Sequence, residues 1–280
     1  MKKRTTTFFA MAATVFAFAL AGCHNDKEGS EILKPIAENL IGRWEQTDGY
    51  MVDENGNKVE MEEDENSEEY VTIICFQPDG TGLQIKTLPG GWQQIGSYTW
   101  KADEEKKGFH FTGKDKEFFF PIYKLTADCF INGTEAAKDS ESGEVISGSF
   151  RFEHQRIADE QTLAERLVGK WVSLKSYKKV NGEWQEAPNC RPEEGWYHFH
   201  STGMVDGYQK FGDKEHKVEM EWSARVKNTR MRLVKGEWSD EWDFALTDAD
   251  TMEIYDNETI DFITGKTITG EFKDVLVREK

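Results

Sequence analysis

Two histidines have the spacing that most clearly suggests chemistry. His198 and His200 are separated by a single residue in a segment of strand-like composition. Because side chains alternate between the two faces of a strand, both imidazoles are expected on one face, which would make half of a metal site. The sequence fixes no third ligand. We therefore predict no metal and no cofactor, and we interpret the pair as two strand histidines that lie together by chance.

The acidic residues do not define a site. Nine carboxylates lie between Asp53 and Glu69, but the segment lacks the alternating ligands and the glycine of a calcium-binding loop. A solvated loop whose charges repel one another is the preferred interpretation. The sequence also contains no recognisable Ser–His–Asp set, phosphate-binding glycine loop or Cys-x-x-Cys pair. We predict no catalytic residues and no enzyme activity.

Tryptophan is frequent, with nine in 280 residues. Trp92 and Trp184 are expected in loops or at strand ends, where an aromatic ring can line the mouth of a cavity or face a partner. They are the candidate ligand-binding residues. Packing at the end of a strand is the alternative interpretation.

The N-terminus has the pattern of a secretion signal. Three basic residues precede an apolar run from Phe8 to Leu20, which at 13 residues is too short for a permanent membrane span. Leu20-Ala21-Gly22-Cys23 resembles the lipobox of bacterial lipoproteins. The resemblance implies a signal peptide at residues 1–22 and lipid attachment at Cys23, whose acyl chains, such as palmitate, would hold the protein to a membrane. An ordinary secretion signal followed by a chance cysteine is the alternative.

Residues 23–34 are predicted to form a lipidated tether. An acidic stretch close after Cys23 resembles the surface-export signal of Bacteroidetes lipoproteins. His24 differs from the aspartate that retains lipoproteins in the inner membrane of enteric bacteria. These resemblances imply an outer-membrane location, and they leave the periplasmic and the surface side both open.

Charge and cysteine content narrow the function classes. Without residues 1–22 the chain has 32 basic and 52 acidic residues, a net charge of −20. That charge excludes general binding of nucleic acids through their phosphates. Three cysteines besides Cys23 do not suggest a disulfide framework. A bridge between Cys75 and Cys129 and separate buried thiols are both compatible with the sequence, as is an isolated Cys190.

The chain repeats itself. Ile36–Trp44 matches Leu163–Trp171 at an offset of 127 residues. Further matches follow in the same order at offsets of 121 to 123, and the last pairs Arg156 with Arg278. A period of this length indicates two duplicated domains rather than a solenoid. We place them at residues 35–157 and 158–280.

Each repeat is predicted to open with a short helix and to continue in strands. Apolar residues at helical spacing precede Gly42 and Gly169, which we expect to end the helices. The many short strand-like segments favour an antiparallel barrel or sandwich. The predicted strands are 70–76, 96–100, 109–111, 118–123 and 148–152, then 196–199, 218–226, 231–234, 242–246, 252–255 and 270–277.

Both repeats carry a motif of a known family. Gly42-Arg43-Trp44 and Gly169-Lys170-Trp171 resemble the Gly-x-Trp motif that opens lipocalin and lipocalin-like barrels. The resemblance implies that each tryptophan closes one end of a barrel and that Arg156 and Arg278 lie across the indole rings of Trp44 and Trp171. The resemblance covers nearly the whole mature chain, although each repeat is shorter than a full lipocalin. The chain as a whole resembles the tandem lipocalin-like lipoproteins of Bacteroidetes.

We therefore expect an all-β protein of two tandem antiparallel lipocalin-like barrels. An immunoglobulin-like sandwich is the competing fold, but its Cys…Trp…Cys pattern is missing. Two functions follow from the expected fold. The barrels bind a small apolar or amphipathic ligand, as the family resemblance implies, or they are filled and serve as a docking module for an envelope protein or a surface polysaccharide.

Overall fold

A computed structural model describes residues 31–53, 57–59, 70–113, 116–134, 149–226 and 229–280. Strands dominate these residues and both α-helices are short, so the expected all-β architecture is confirmed. Within the described ranges, no helix has the length and apolar composition needed to cross a membrane.

The helices open the two repeats where they were predicted: α1 is Ile36–Leu40 and α2 is Leu163–Leu167. The first nine strands are β1 (Gly42–Val52), β2 (Lys58–Val59), β3 (Val71–Phe76), β4 (Thr81–Leu88), β5 (Trp92–Asp103), β6 (Gly108–Gly113), β7 (Lys116–Leu125), β8 (Cys129–Thr134) and β9 (Ser149–Ile157). The others are β10 (Gly169–Val180), β11 (Glu183–Glu186), β12 (Glu194–Phe199), β13 (Met204–Phe211), β14 (Lys214–Arg225), β15 (Arg230–Lys235), β16 (Trp238–Leu246), β17 (Thr251–Asp261) and β18 (Lys266–Arg278).

Contacts between residues divide the chain into two compact units. The first unit comprises Met1–Gln84 and Tyr98–Asp159, and the second comprises Ile85–Ser97 and Glu160–Lys280. The junction after Asp159 lies close to the predicted boundary at residues 157 and 158. One segment differs from the expectation, because Ile85–Ser97 is part of the first repeat in the sequence and of the second unit in the structure.

The second unit contains a closed antiparallel circuit of eight strands. β10 pairs with β12, and β12 to β18 pair in order. β18 then returns to β10, which closes the circuit. The short strand β11 adds a hairpin to β10 through the turn at Asn181-Gly182, where both residues have the positive φ that an Asn-Gly turn favours. The start of β5 also pairs with β14 in this unit.

The first unit is built mainly from antiparallel pairs, and Ile32 adds a single parallel bridge to Leu125. β1 pairs with both β3 and β9. Strands β5 to β9 pair in order, and β4 lies between β3 and β5 in the strand order. Backbone hydrogen bonds join Leu33 and Glu31 to Leu125, so these residues of the predicted tether belong to the first unit.

Each helix is capped at its N-terminus by a different set of groups. In α2, the Thr162 hydroxyl accepts from the Glu165 amide at 3.3 Å, and the Glu165 carboxylate accepts from the Thr162 amide at 2.8 Å. This reciprocal arrangement is a capping box. α1 has no cap of its own, and the Glu104 carboxylate accepts from the amides of Ile36 and Ala37 at 2.5 and 3.3 Å. In both helices, side chains therefore satisfy some of the amide donors that a helix N-terminus leaves free.

Candidate functional site

The first unit is closed at one end by a tryptophan and an arginine. The guanidinium carbon of Arg156 lies 4.1 Å from the centre of the Trp44 ring, which is fully buried. The Trp44 indole N–H donates to the carbonyl of Leu40 at 2.8 Å, which ties the ring to the C-terminus of α1. Arg156 satisfies further carbonyl groups around it. It donates to the carbonyl oxygens of Asn39, Ile41 and Ala127 at 2.7, 2.7 and 2.6 Å.

The second unit repeats this arrangement nearly atom for atom. Arg278 lies 4.2 Å from the centre of the Trp171 ring, and the indole N–H donates to the carbonyl of Leu167 at 2.8 Å. A cation over a buried indole is a favourable electrostatic contact, and here it also fixes the last strand to the helix. Arg278 donates to the carbonyl oxygens of Arg166, Val168 and Ala249 at 2.6, 2.5 and 3.2 Å.

The glycine of each Gly-x-Trp motif is required by the arginine. As predicted, Gly42 and Gly169 directly follow the C-cap residues Ile41 and Val168 of the two helices, and they also begin β1 and β10. Their φ angles are +131° and +129°, which L-residues with side chains rarely adopt. A Cβ atom at Gly42 would also collide with the guanidinium of Arg156. The motif therefore makes space for the closing arginine.

Aromatic side chains fill the closed end of the first unit. Phe76 meets four rings edge-on, with ring centres 5.0 to 6.1 Å apart, a geometry that aromatic pairs favour. Further from Trp44, the inner face remains aromatic but becomes accessible, since Phe111 and Phe120 are only partly buried and Phe118 is 49% exposed. The four rings around Phe76 are those of Tyr98, Trp100, Phe109 and Phe130.

A buried histidine interrupts the apolar inner face of the first unit. His154 is 2% exposed and stacks on Phe130 with ring centres 4.2 Å apart. Its Nε2 lies 2.8 Å from Oδ1 of Asn132, while its Nδ1 is buried with no hydrogen-bond partner. Burial lowers the pKa of His154 to about 3, because the charged form loses its hydration. The imidazole is therefore neutral at physiological pH.

The inner face of the second unit carries a buried carboxyl group. Asp274 and Ser176 are cross-strand partners on β18 and β10, and the Ser176 hydroxyl donates to the carboxylate. Burial, opposed by the hydrogen bond from Ser176 and assisted by the charge of Asp256, raises the pKa of Asp274 to about 6. Around this unit's inner face, the Gln209 amide donates to the Tyr197 hydroxyl at 3.1 Å.

Trp92 does not line an opening. It is the first residue of β5, which agrees with the predicted strand-end position, but the residue is only 7% exposed. Arg232 and Arg225 lie over it at 4.2 and 5.7 Å from the ring centre. The neighbouring Gln93 accepts a hydrogen bond from the Ala164 amide at 3.2 Å, which helps to cap α2. The packing interpretation therefore holds for Trp92.

Trp184 lies on the outer face of the second unit. It is a β11 residue, half-buried beside Tyr255 with ring centres 6.3 Å apart. Lys273 lies 5.3 Å from the Trp184 ring centre, and it also forms an ion pair with Glu253 at 2.9 Å. Because Lys273 alternates with the inward residues of β18, this cluster of Trp184, Tyr255, Lys273 and Glu253 faces outward. It can contact a partner but not a ligand inside the unit.

The two strand histidines lie together on the outer face of the second unit. Their ring centres are 4.0 Å apart, and Nε2 of His200 lies 2.8 Å from Oδ2 of Asp206. Partial burial lowers the pKa of His198, and the neighbouring His200 lowers it further. Among the described residues, no group of three histidine, cysteine or acidic side chains is arranged to hold a metal ion.

A groove of about 630 Å³ lies on the outer face of the first unit. His110 stands in it between two carboxylates, with Nδ1 2.7 Å from Glu117 and Nε2 3.4 Å from Asp103. The backbone amide of Lys106 and the His110 side chain hold the pKa of Asp103 below its usual value. The groove is polar and solvent-exposed, because it is built from Thr99, Lys101 and other residues that alternate with the inward side chains of β5.

The thiols of Cys75 and Cys190 are buried and form no disulfide, so the bridge considered between Cys75 and Cys129 is absent. Burial raises the pKa of Cys190. The predicted lipid attachment at Cys23 and the signal peptide lie outside the described residues, as does most of the acidic run from Asp53 to Glu69.

Sequence reasoning missed the polar residues of the two inner faces. The signal that could have found them is strand alternation. Asn132 follows Phe130 at a spacing of two, and Asp274 precedes Leu276 at the same spacing, so each stands on the apolar side of its strand. His154 likewise follows Phe152. Burial of a polar group costs free energy unless the group is hydrogen-bonded, so a polar residue in such a position indicates a hydrogen-bond partner or a functional role.

Comparison with known proteins gives one limited similarity. No family model matches the chain. A stretch of 98 residues is 34% identical to scytalone dehydratase PfmaJ from Pestalotiopsis fici. The match covers 34% of this chain and 51% of that protein, so the chain spans about half the length of the curated relative it matches.

Proposed function

We propose that the chain is an outer-membrane lipoprotein of two lipocalin-like barrels that binds a small apolar or amphipathic ligand. The observation that carries the proposal is the closure found in both units, with Arg156 over Trp44 and Arg278 over Trp171. In each unit the motif, its glycine and the terminal arginine act together, which is more specific than the sequence motif alone. Lipocalin-like barrels with this closure are mostly binding proteins rather than enzymes.

The inner faces support a ligand that is largely apolar. In the first unit, the exposed edges of Phe111, Phe118 and Phe120 continue the aromatic core toward the end opposite Trp44. Apolar walls with a few placed polar groups are typical of sites for small molecules. Attachment through Cys23 after loss of residues 1–22 would place this site at the membrane, on either the periplasmic or the surface side.

Native mass spectrometry of the chain from Asn25 to Lys280 tests the proposal. After exposure to a lipid and metabolite extract, we expect a discrete added mass that organic extraction removes. The full-length chain and its Cys23→Ser variant, expressed with a labelled fatty acid, test the anchor in parallel. Label in the wild type but not in the variant supports lipid attachment, and equal label in both contradicts it.

A non-catalytic docking module is the second candidate. The packed ring cluster around Phe76 and the outward cluster at Trp184 favour it, since a filled interior leaves the outer face for contacts. Absence of any added mass, with both units folded, would support docking to an envelope protein or a surface polysaccharide. Release of water from a bound hydroxylated ligand would instead favour a dehydratase, the activity named for the partial relative.

A further inference from the structure

The inner face of the first unit holds one hydrogen-bond acceptor that the described residues leave without a partner. We propose that Nδ1 of His154 accepts a hydrogen bond from the hydroxyl group of a neutral amphipathic ligand, whose apolar part lies against the phenylalanines of the same face. The inference rests on the proposed ligand-binding function and names the chemical class that the first unit selects.

Asn132 sets the tautomer of His154. Its side-chain oxygen, 2.8 Å from Nε2, can only accept a hydrogen bond, so the imidazole proton lies on Nε2. Nδ1 then carries a lone pair and can only accept. The low pKa of about 3 is consistent with this single neutral form, since burial opposes a second proton. Stacking on Phe130 holds the ring plane fixed.

An unsatisfied buried acceptor favours ligands that can donate to it. Nδ1 has no protein partner, and a group buried in this way loses its hydration without compensation. An alcohol supplies the missing proton. An ether of the same shape cannot, and an ionised carboxylate brings a charge with no proton to donate. The site should therefore distinguish ligands by a single hydroxyl group.

The surrounding face supplies apolar contact. Asn132 pairs across the sheet with Phe152, and Phe111 pairs with Phe118, so these side chains share faces with the residues that line the interior. Phe152 is only partly buried and Phe118 is 49% exposed. Their accessible rings mark the side from which a chain-like molecule would approach the buried imidazole.

Displacement of N-phenyl-1-naphthylamine from the Asn25–Lys280 chain tests the inference with three probes. These are 1-decanol, 1-methoxydecane and decanoate. For the wild type we expect 1-decanol to bind about 5- to 10-fold more tightly than 1-methoxydecane, the difference expected for one hydrogen bond to a buried acceptor. Decanoate should bind more weakly than both.

The His154→Phe variant should remove the preference while keeping the stacking and the volume. It should bind 1-decanol and 1-methoxydecane equally, and His198→Phe, on the outer face of the second unit, should keep the wild-type preference. Equal binding of alcohol and ether by the wild type overturns the role of His154 and leaves the ligand-binding function standing. Displacement by none of the three probes overturns both. The wild-type comparison decides even if His154→Phe does not fold.

Discussion

Asp274→Asn should stabilise the second unit above about pH 4, with the full effect reached above about pH 6. The carboxyl is buried, and its pKa is about 6 against 3.8 for an ordinary aspartate. A folded pKa that is raised means that the protonated form stabilises the fold at low pH and that this contribution is lost as pH rises through 6. Asparagine mimics the protonated group and can still accept the hydrogen bond from Ser176.

The size of the effect follows from the two pKa values. A difference of 2.2 between 3.8 and about 6 corresponds to ~3 kcal/mol when the group is fully ionised. We therefore expect Asp274→Asn to raise the free energy of unfolding by up to about 3 kcal/mol at pH 7.5, and by less than about 0.5 kcal/mol at pH 3.5.

Urea unfolding across this pH range measures the effect, and hydrogen exchange of peptides from β10 and β18 assigns it to the second unit. Asp213→Asn, an exposed aspartate in a turn, makes the same charge change and should have little effect at either pH. The reasoning is refuted if Asp274→Asn has the same effect at pH 3.5 and pH 7.5, or if it destabilises the unit at pH 7.5.

Three further predictions concern stability. Because the folded pKa of His154 is lowered to about 3 from 6.5, the first unit should lose ~2 kcal/mol between neutral pH and pH 5, and hydrogen exchange of β9 in His154→Phe should lack this pH dependence. Trp92→Ala should lower the free energy of unfolding of the second unit, measured with urea, by about 3–5 kcal/mol. Trp238→Ala, at a residue that is 52% exposed, should lower it by less than about 1 kcal/mol. Equal losses in the two variants would contradict the packing of Trp92. Gly42→Ala should lower the free energy of unfolding of the first unit, measured by urea unfolding, by about 2 kcal/mol or more, because its φ is positive and Arg156 occupies the space. Gly96→Ala, where nothing lies within 4 Å, should be neutral.

The elements that were predicted well have local signals. The two helices and most strands follow from apolar spacing and β-branched or aromatic composition, and the repeat added a second copy of each signal. β4 and β13 were missed because their strands contain Gly82 and the pair Asp206-Gly207, which weaken the strand pattern. The contact of Arg156 with Trp44 was anticipated from the family resemblance, because no local signal links two residues that 111 others separate.

The site residues were harder to predict because their roles depend on distant partners. Composition cannot show that Asp274 faces Ser176, since the two are brought together only by the pairing of β18 with β10. Trp92 was assigned to a possible opening because its two arginine neighbours are more than 130 residues away in sequence. Alternation indicates which residues point inward, and only the three-dimensional pairing shows what they meet.

The membership of Ile85–Ser97 in the second unit has a consequence for the synthesis of the chain. Trp92 and Gln93 are made long before Ala224 and Arg225, the residues with which they pair. Until those residues emerge, a tryptophan and the buried Ile85 and Ile95 have no surface to cover them. Contacts between such distant positions form slowly, and exposed apolar segments invite aggregation while they wait. A chain of this kind should depend on a chaperone while it folds, and a gene cut between the two repeats should yield a second half that misfolds.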